Sequence, residues 1–375
     1  MLAHRLARLL YLATVSGLLL WSLSASAALE LNMTEGVTPV SREVYGLHML
    51  IFWICVAIGL LVFGAMFYSI YHHRKSLGAK PAQFHESTRV EIIWTVIPML
   101  ILIGMAIPAT KALITMEDTA APDLTVKVTG YQWKWQYDYL DEGISFFSNL
   151  STAREEIANV ADKGEHYLLE VDNPLVLPVG KKVRILTTAA DVIHSWWVPA
   201  LGWKRDAIPG FINESWTRIE EPGIYRGQCA ELCGKDHGFM PIVVVAKTEE
   251  EYQQWVTEMK GDQTAAAESP AGELDKAELM AEGEAVYQTH CATCHQANGQ
   301  GMPPVFPALA GSPVVTGPVE EHIDVVMHGR PGTAMQAFAD QLSDTEIAAV
   351  VTYKRNSWGN DTGDLVQPAT IKTLR

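Results

Sequence analysis

The sequence predicts a multidomain chain: a two-helix membrane hairpin, then an all-β sandwich, then a small and mostly α domain. Three observations predict it. Residues 47–71 and 92–110 contain no Asp, Glu, Lys or Arg. From Leu124 onward apolar and polar residues alternate with period two, the mark of half-buried strands. After residue 273 helical patterns flank the motif Cys291-Ala-Thr-Cys294-His295.

A chain of 375 residues exceeds one small domain. Residues 1–27 read as a secretory signal peptide: His4, Arg5 and Arg8, an apolar core at 9–23, and Ala25-Ser-Ala27 as the cleavage site. A first membrane helix is the alternative, but the run is short against the roughly 20 residues a span needs. The mature chain then starts near Ala28. Residues 28–115 hold an N-terminal segment and the hairpin, with helices at about 47–71 and 92–114. Pro98 and Pro108 are tolerable inside a membrane helix. The loop between the spans carries Arg74, Lys75, Lys80 and Arg89 against Glu86 and Glu91. Segment 28–44 carries Arg42 against Glu30, Glu35 and Glu43. The basic loop is therefore cytoplasmic, and everything after about residue 115 is periplasmic or otherwise extracytoplasmic. Glu91 sits at the cytoplasmic mouth of the second span, where an ionisable group is either functional or an interfacial charge. Cys55 and His48 read as packing residues.

Residues 116–260 form the sandwich. Leu124, Val126 and Val128 alternate with polar positions, and Gly130 shifts the parity, which suggests a bulge. Tyr131, Trp133, Trp135, Tyr137 and Tyr139 then share one face, some of them in the core. Further strands fall at about 166–171, 182–188, 215–219 and 241–247, implying antiparallel pairing. Segment 140–165 reads as a loop, 249–260 as a closing helix, and 261–272 as an Ala/Gly/Ser/Pro/Glu-rich linker.

Chemistry concentrates in Cys229-Ala-Glu231-Leu-Cys233-Gly-Lys-Asp-His237-Gly-Phe-Met240. Thiolates, imidazole and thioether together are the donor set of electron-transfer copper. Two cysteines this close can share metal, which suggests a two-copper centre. His194, in Asp-Val-Ile-His-Ser-Trp-Trp, is the candidate second imidazole. A disulfide, a zinc site or plain buried cysteines are the alternatives. The first leaves His237 and Met240 without a role, and zinc rarely takes methionine.

In domain 273–375, C-x-x-C-H is the attachment signal of c-type haem. Cys291 and Cys294 would form thioethers and His295 would bind iron. The second axial ligand is usually Met or His. Met335, in a loop before a helix, resembles the distal ligand of class I cytochromes c. Met302 lies too near the attachment site, Met327 fits helical core packing, and His322 and His328 are remaining alternatives. Ser343-Asp-Thr-Glu346 reads as a capping box for the last long helix. The net charge of −15 argues against nucleic acid and suits a basic partner protein. Four of the five cysteines fall in two tight pairs beside histidines, which is metal and cofactor usage.

The run Cys-x-Glu-x-Cys-x3-His-x2-Met resembles the copper loop of cytochrome c oxidase subunit II, from about residue 28 to 260, and matches that pattern at every position. The resemblance implies a cupredoxin-like sandwich holding the dinuclear centre CuA. Cys229 and Cys233 would bridge the coppers, His194 and His237 would each bind one, and Met240 and the Glu231 carbonyl would be weak axial ligands. It further implies that the Glu231 carboxylate meets a magnesium ion shared with subunit I, that Trp133 receives electrons, and that Glu91 opens a proton pathway. Asp172 and Asp191 match acidic positions associated with cytochrome c docking. With the fused haem domain, the expected function is electron transfer from cytochrome c to the oxygen-reducing haem/copper site of subunit I, coupled to proton pumping. The expected setting is a bacterial inner membrane, with subunits I and III as partners and no catalytic residue in this chain. A nitrous oxide reductase would need a histidine-rich catalytic domain, and a quinol oxidase subunit lacks the copper ligands. A membrane-anchored cytochrome without copper would leave Cys229 idle.

Overall fold

The structure, a computed structural model, describes residues 32–375 except 81–82, 84, 269–272 and 340. The expected signal peptide at 1–27 lies outside the described residues. The chain divides into a unit ending at Tyr252 and one beginning at Gln253.

The first unit opens with α1 (Pro39–His72) and α2 (Thr88–Glu117), both long and apolar enough to cross a bilayer. They run past the expected limits at both ends. For α1 the reason is local. Thr38 and Ser41 form a reciprocal capping box, and Pro39 occupies the first turn, where its missing N–H costs nothing. Pro98 and Pro108 lie inside α2 without ending it.

Among the described residues ten strands follow, in two five-stranded sheets. The first sheet has the order β3 (Ile144–Ser148), β2 (Lys134–Tyr139), β1 (Leu124–Tyr131), β5 (Val183–Ala189), β8 (Asn213–Thr217). The second has β4 (Leu175–Pro178), β10 (Pro241–Lys247), β9 (Gly223–Cys229), β6 (His194–Val198), β7 (Trp203–Ala207). The pairing is mixed rather than purely antiparallel, because β1–β5 and β4–β10 run parallel. The parity shift near Gly130 is a hairpin and not a bulge: Gly130 pairs with Trp135 and Tyr131 with Lys134 across a Gln132-Trp133 turn. Of the aromatic row, Trp135, Tyr137 and Tyr139 are buried, while Tyr131 and Trp133 remain partly exposed. The strand expected at 166–171 is a set of turns, and the presumed loop 140–165 contains β3 and a helical turn at Arg154–Ile157.

The hairpin is braced against the sandwich. Val37 N–H donates to the Ala200 carbonyl (3.0 Å), Glu220 N–H to Val37 (3.0 Å), and Thr38 Oγ1 to Leu201 (2.9 Å). At the end of α2, Trp216 Nε1 donates to Thr115 (2.9 Å) and Arg205 pairs with Glu117 (2.9 Å).

Helix α3 (Glu249–Glu268) continues past residue 260, so the first part of the expected linker is helical. The second unit contains α4 (Lys276–His290), a helical turn at Ala292–His295, α5 (Val319–His328), α6 (Asp344–Arg355) and α7 (Pro368–Leu374). The Ser343/Glu346 capping box forms as expected. Its core gathers Val286, Tyr287, Ile323, Met327, Phe338, Ile347 and Val351.

Candidate functional site

The donors predicted from the Cys229–Met240 run converge at one end of the sandwich. Strands β6 and β9 pair through Trp196↔Cys229, which sets the first residue of β6, His194, beside the last of β9, Cys229. The chain then turns through Glu231 and Cys233, makes a short 3-10 turn at His237–Phe239, and enters β10 just after Met240. The two sulfurs are 3.8 Å apart, well beyond the roughly 2.05 Å of a disulfide. Cys229 Sγ lies 3.9 Å from His194 Nδ1 and 3.4 Å from the Glu231 carbonyl. Cys233 Sγ lies 3.4 Å from His237 Nδ1 and 3.5 Å from Met240 Sδ. The donor atoms of His194, Cys229 and Cys233 all fall within 4.8 Å of one another, and all three residues are buried.

The surroundings prepare these donors. His194 Nε2 hydrogen-bonds Asp191 Oδ1 at 2.9 Å, so a neutral ring donates there and leaves the Nδ1 lone pair facing the sulfurs. Burial opposes charge on this imidazole, but the bonds to Asp191 and Cys229 outweigh it and raise its pKa. The hydrogen bond from Cys233 drives Cys229 toward thiolate while the proton stays on Cys233. Asp191 also accepts from Gln132 N–H (2.7 Å), and Gln132 Nε2 donates to the Cys233 carbonyl (2.8 Å). Trp133 Nε1 reaches the same carbonyl at 3.3 Å, which ties this partly exposed indole to a donor residue. Trp135 stacks edge-on to His194 and donates to the Met240 carbonyl (3.3 Å). At Gly130 a Cβ would meet His194 Cδ2 at 2.8 Å, so glycine is needed for the ring to sit where it does.

Sequence reasoning missed the supporting roles of Asp191 and Gln132. The signal for Asp191 was an acid three residues before His194; Gln132 offered none. Asp191→Asn is expected to lower the affinity of these donors for a metal ion by about 10- to 100-fold, the usual cost of losing such a support, measured by chelator competition. Asp172 is engaged in its own loop, accepting from Asn149 N–H (2.7 Å) and Nδ2 (2.8 Å). Glu91 is exposed in the first turn of α2.

In the second unit, Cys291 caps α4 and Cys294 and His295 complete the following turn. His295 Nδ1 donates to the Pro307 carbonyl at 2.9 Å, which frees Nε2 for a ligand. Burial lowers its pKa and favours the neutral ring. Cys291 and Met335 both border the domain core, whereas Met327 is wholly inside it. His322 is buried on α5, and desolvation followed by the nearby Lys354 and Arg355 charges holds its pKa down at about 2.

Residues 26–112 match the transmembrane domain and residues 124–247 the periplasmic domain of "Cytochrome C oxidase subunit II". A "Probable cytochrome c oxidase subunit 2" of Rickettsia bellii is 40% identical over 247 residues, which cover 65% of this chain and 90% of that one. The chain belongs to the cytochrome c oxidase subunit II family. A cytochrome c oxidase subunit 2 from Cereibacter sphaeroides is 36% identical, covering 60% of this chain and 78% of its own. The periplasmic domain of subunit II of cytochrome oxidase from Bradyrhizobium japonicum is 43% identical, covers 38% of this chain and 98% of that one, and superposes with a TM-score of 0.35. Residues 278–353 match "Cytochrome C oxidase, cbb3-type, subunit III", so this subunit II carries a cytochrome c-type domain at its C-terminal side. As a subunit II it is a membrane protein and part of an oxidase whose oxygen-reducing site lies in subunit I. Its β domain is the cupredoxin-like sandwich expected, and its helical unit the cytochrome c domain.

Proposed function

We propose that this chain is the electron-relay subunit of a proton-pumping cytochrome c oxidase, holding dinuclear CuA and a covalent haem c. The observation that carries the reading is the convergence of six donors, two of them thiol sulfurs that are not bonded to each other. Two thiols, two imidazoles, a thioether and a carbonyl fit copper, whereas zinc has no use for the thioether. Cys229, Cys233, His194 and His237 would hold the copper, with Met240 and the Glu231 carbonyl as weaker donors. Cys291 and Cys294 would anchor the haem covalently, and His295 and Met335 would be its iron ligands. Bound, these groups supply reversible one-electron carriers between an external cytochrome c and subunit I.

The protein's own residues do the rest. Trp133 offers a partly exposed ring bonded to the Cys233 backbone, which supports it as the point where electrons reach the copper loop. The Glu231 carboxylate is exposed while its carbonyl faces Cys229, consistent with a magnesium ion shared with subunit I. Glu91, at the start of α2, serves the proton-pathway entrance. The domain limits we propose are a signal peptide at 1–27, the hairpin segment at 28–115, the CuA domain at 116–260, a linker at 261–272 and the cytochrome c domain at 273–375. Subunits I and III and a cytochrome c donor are the partners, and the metal domains face the periplasm of a bacterial inner membrane.

The test is metal and haem analysis of the purified full chain, with its near-infrared spectrum. A copper pair and one covalent haem per chain are expected. A single copper, zinc in its place, or haem released by acidified organic solvent would overturn the reading.

A further inference from the structure

The turn that follows helix α6 grips the loop that faces His295. Residues 357–360 close through the Asn360 N–H, which donates to the Ser357 carbonyl (2.9 Å). The turn presents two side chains to residues 296–311. The Trp358 ring lies against Gly299, where an added Cβ would run into the indole. Trp358 itself holds φ at +54°, a costly backbone for so bulky a residue. The Asn360 side chain is buried, 4% exposed, and its amide is fully used. Nδ2 donates to the Leu309 carbonyl (3.1 Å) and the Lys354 carbonyl (2.8 Å), while Oδ1 accepts from Gly311 N–H (2.8 Å). Carbonyls only accept and an N–H only donates, so these partners fix which way the amide points.

The gripped loop is the one that orients the imidazole. Leu309 N–H donates to the Gly299 carbonyl (2.7 Å), so with Asn360 on its own carbonyl this residue is pinned from both sides. Two residues earlier, the Pro307 carbonyl accepts from His295 Nδ1 (2.9 Å). Gly301 N–H donates back to the His295 carbonyl (2.9 Å), and a Cβ on Gly301 would strike the Pro307 oxygen, so the loop closes tightly there. At the near end, the Tyr287 hydroxyl of α4 donates to the Gln296 carbonyl (2.6 Å), and its ring packs against Trp358 with centroids 4.6 Å apart. Asn360 is the latch at the far end.

We propose that Asn360 is a positioning residue for His295: its amide holds the loop so that the Pro307 carbonyl keeps a firm hydrogen bond to the imidazole. This rests on the reading of Cys291–His295 as the haem attachment motif. A firm bond at Nδ1 makes Nε2 the stronger donor, which favours oxidised iron. Loosening the latch weakens that bond and favours the reduced form. Losing a buried amide also costs stability, so the two effects need separating. Asn356 supplies the comparison. Its Nδ2 donates to the Thr352 (2.8 Å) and Asp364 (2.9 Å) carbonyls, and its Oδ1 accepts from Gly363 N–H (3.2 Å). That amide clamps the same helix end to the segment after it, and its bonds do not reach residues 296–311.

The test uses the intact protein, purified with its haem and with nitrogen-labelled histidine, as wild type, Asn360→Leu and Asn356→Leu. Hydrogen exchange of the iron-bound histidine's ring N–H is read by NMR in the reduced state, alongside the haem midpoint potential and the melting temperature. In Asn360→Leu the ring N–H is expected to exchange at least about tenfold faster, and the haem reduction equilibrium to shift about tenfold toward the reduced form. Asn356→Leu should lower the melting temperature and leave both in place. An unchanged ring N–H in Asn360→Leu, whatever the potential does, would overturn the proposal. Equal changes in the two variants would overturn it as well, because they mark a general loosening of the helix end. If Asn360→Leu fails to retain haem, Asn360→Ser, neutral and too short to reach Leu309, is read by the same criterion. Absence of covalent haem from the wild-type chain would sink the attachment reading itself, a separate result visible before any variant is made.

Discussion

Replacing Cys229 by serine is expected to abolish the proposed copper centre and to cut oxygen consumption driven by cytochrome c by at least about a hundredfold. The argument is chemical. The position needs a soft donor that gives up its proton readily, and the hydrogen bond from Cys233 already pushes Cys229 that way. A serine hydroxyl keeps its proton and is a hard oxygen. The substitution is nearly isosteric, so the sandwich should still fold. Copper content and the near-infrared spectrum give the primary readout, and covalent haem in the C-terminal domain should be unchanged. Cys55→Ser, on the exposed face of α1, is the matched control and should leave copper in place. Normal copper content in Cys229→Ser would remove the basis for the centre.

The second large effect lies in the haem domain. At Gly283, where α4 crosses α6, an added Cβ would meet the Ala349 carbonyl at 2.2 Å and the Tyr353 Cβ at 2.6 Å. Backbone atoms of a helix cannot move aside as a side-chain tip can. Gly283→Val should therefore cost about 3 kcal/mol or more, a large part of a small domain's total stability. Covalent haem yield should collapse, or the haem domain should melt far earlier, while the copper spectrum stays intact. Ala285→Val, on the exposed side of the same helix, should behave like wild type. Equal melting of the two variants would show that the helices do not cross at this glycine.

The hairpin, the copper loop and the haem motif were legible because their signals are local: charge-free runs, or donors within a dozen residues of one another. His194 was reachable by its chemistry, although 35 residues separate it from Cys229. What escaped is what depends on pairing. The edge strands β3, β4 and β7 are short, and nothing in their own residues says which neighbour they join. Parallel pairing of β1 with β5 is likewise a property of the closed sandwich and not of either segment. Gln132 and Pro307 act through backbone groups and a side-chain amide that any residue pattern would hide.

The clasp between Thr38, Val37 and the Ala200–Leu201 turn, matched by Trp216 against Thr115, has a consequence for electron flow. Tunnelling rates fall exponentially with separation, so a carrier that swayed over the bilayer would deliver in bursts. Because the sandwich is tied to both legs of its anchor, the protein itself sets the height of the Cys229–Met240 loop above the lipid, which in the proposed relay would hold the electron's path to one length.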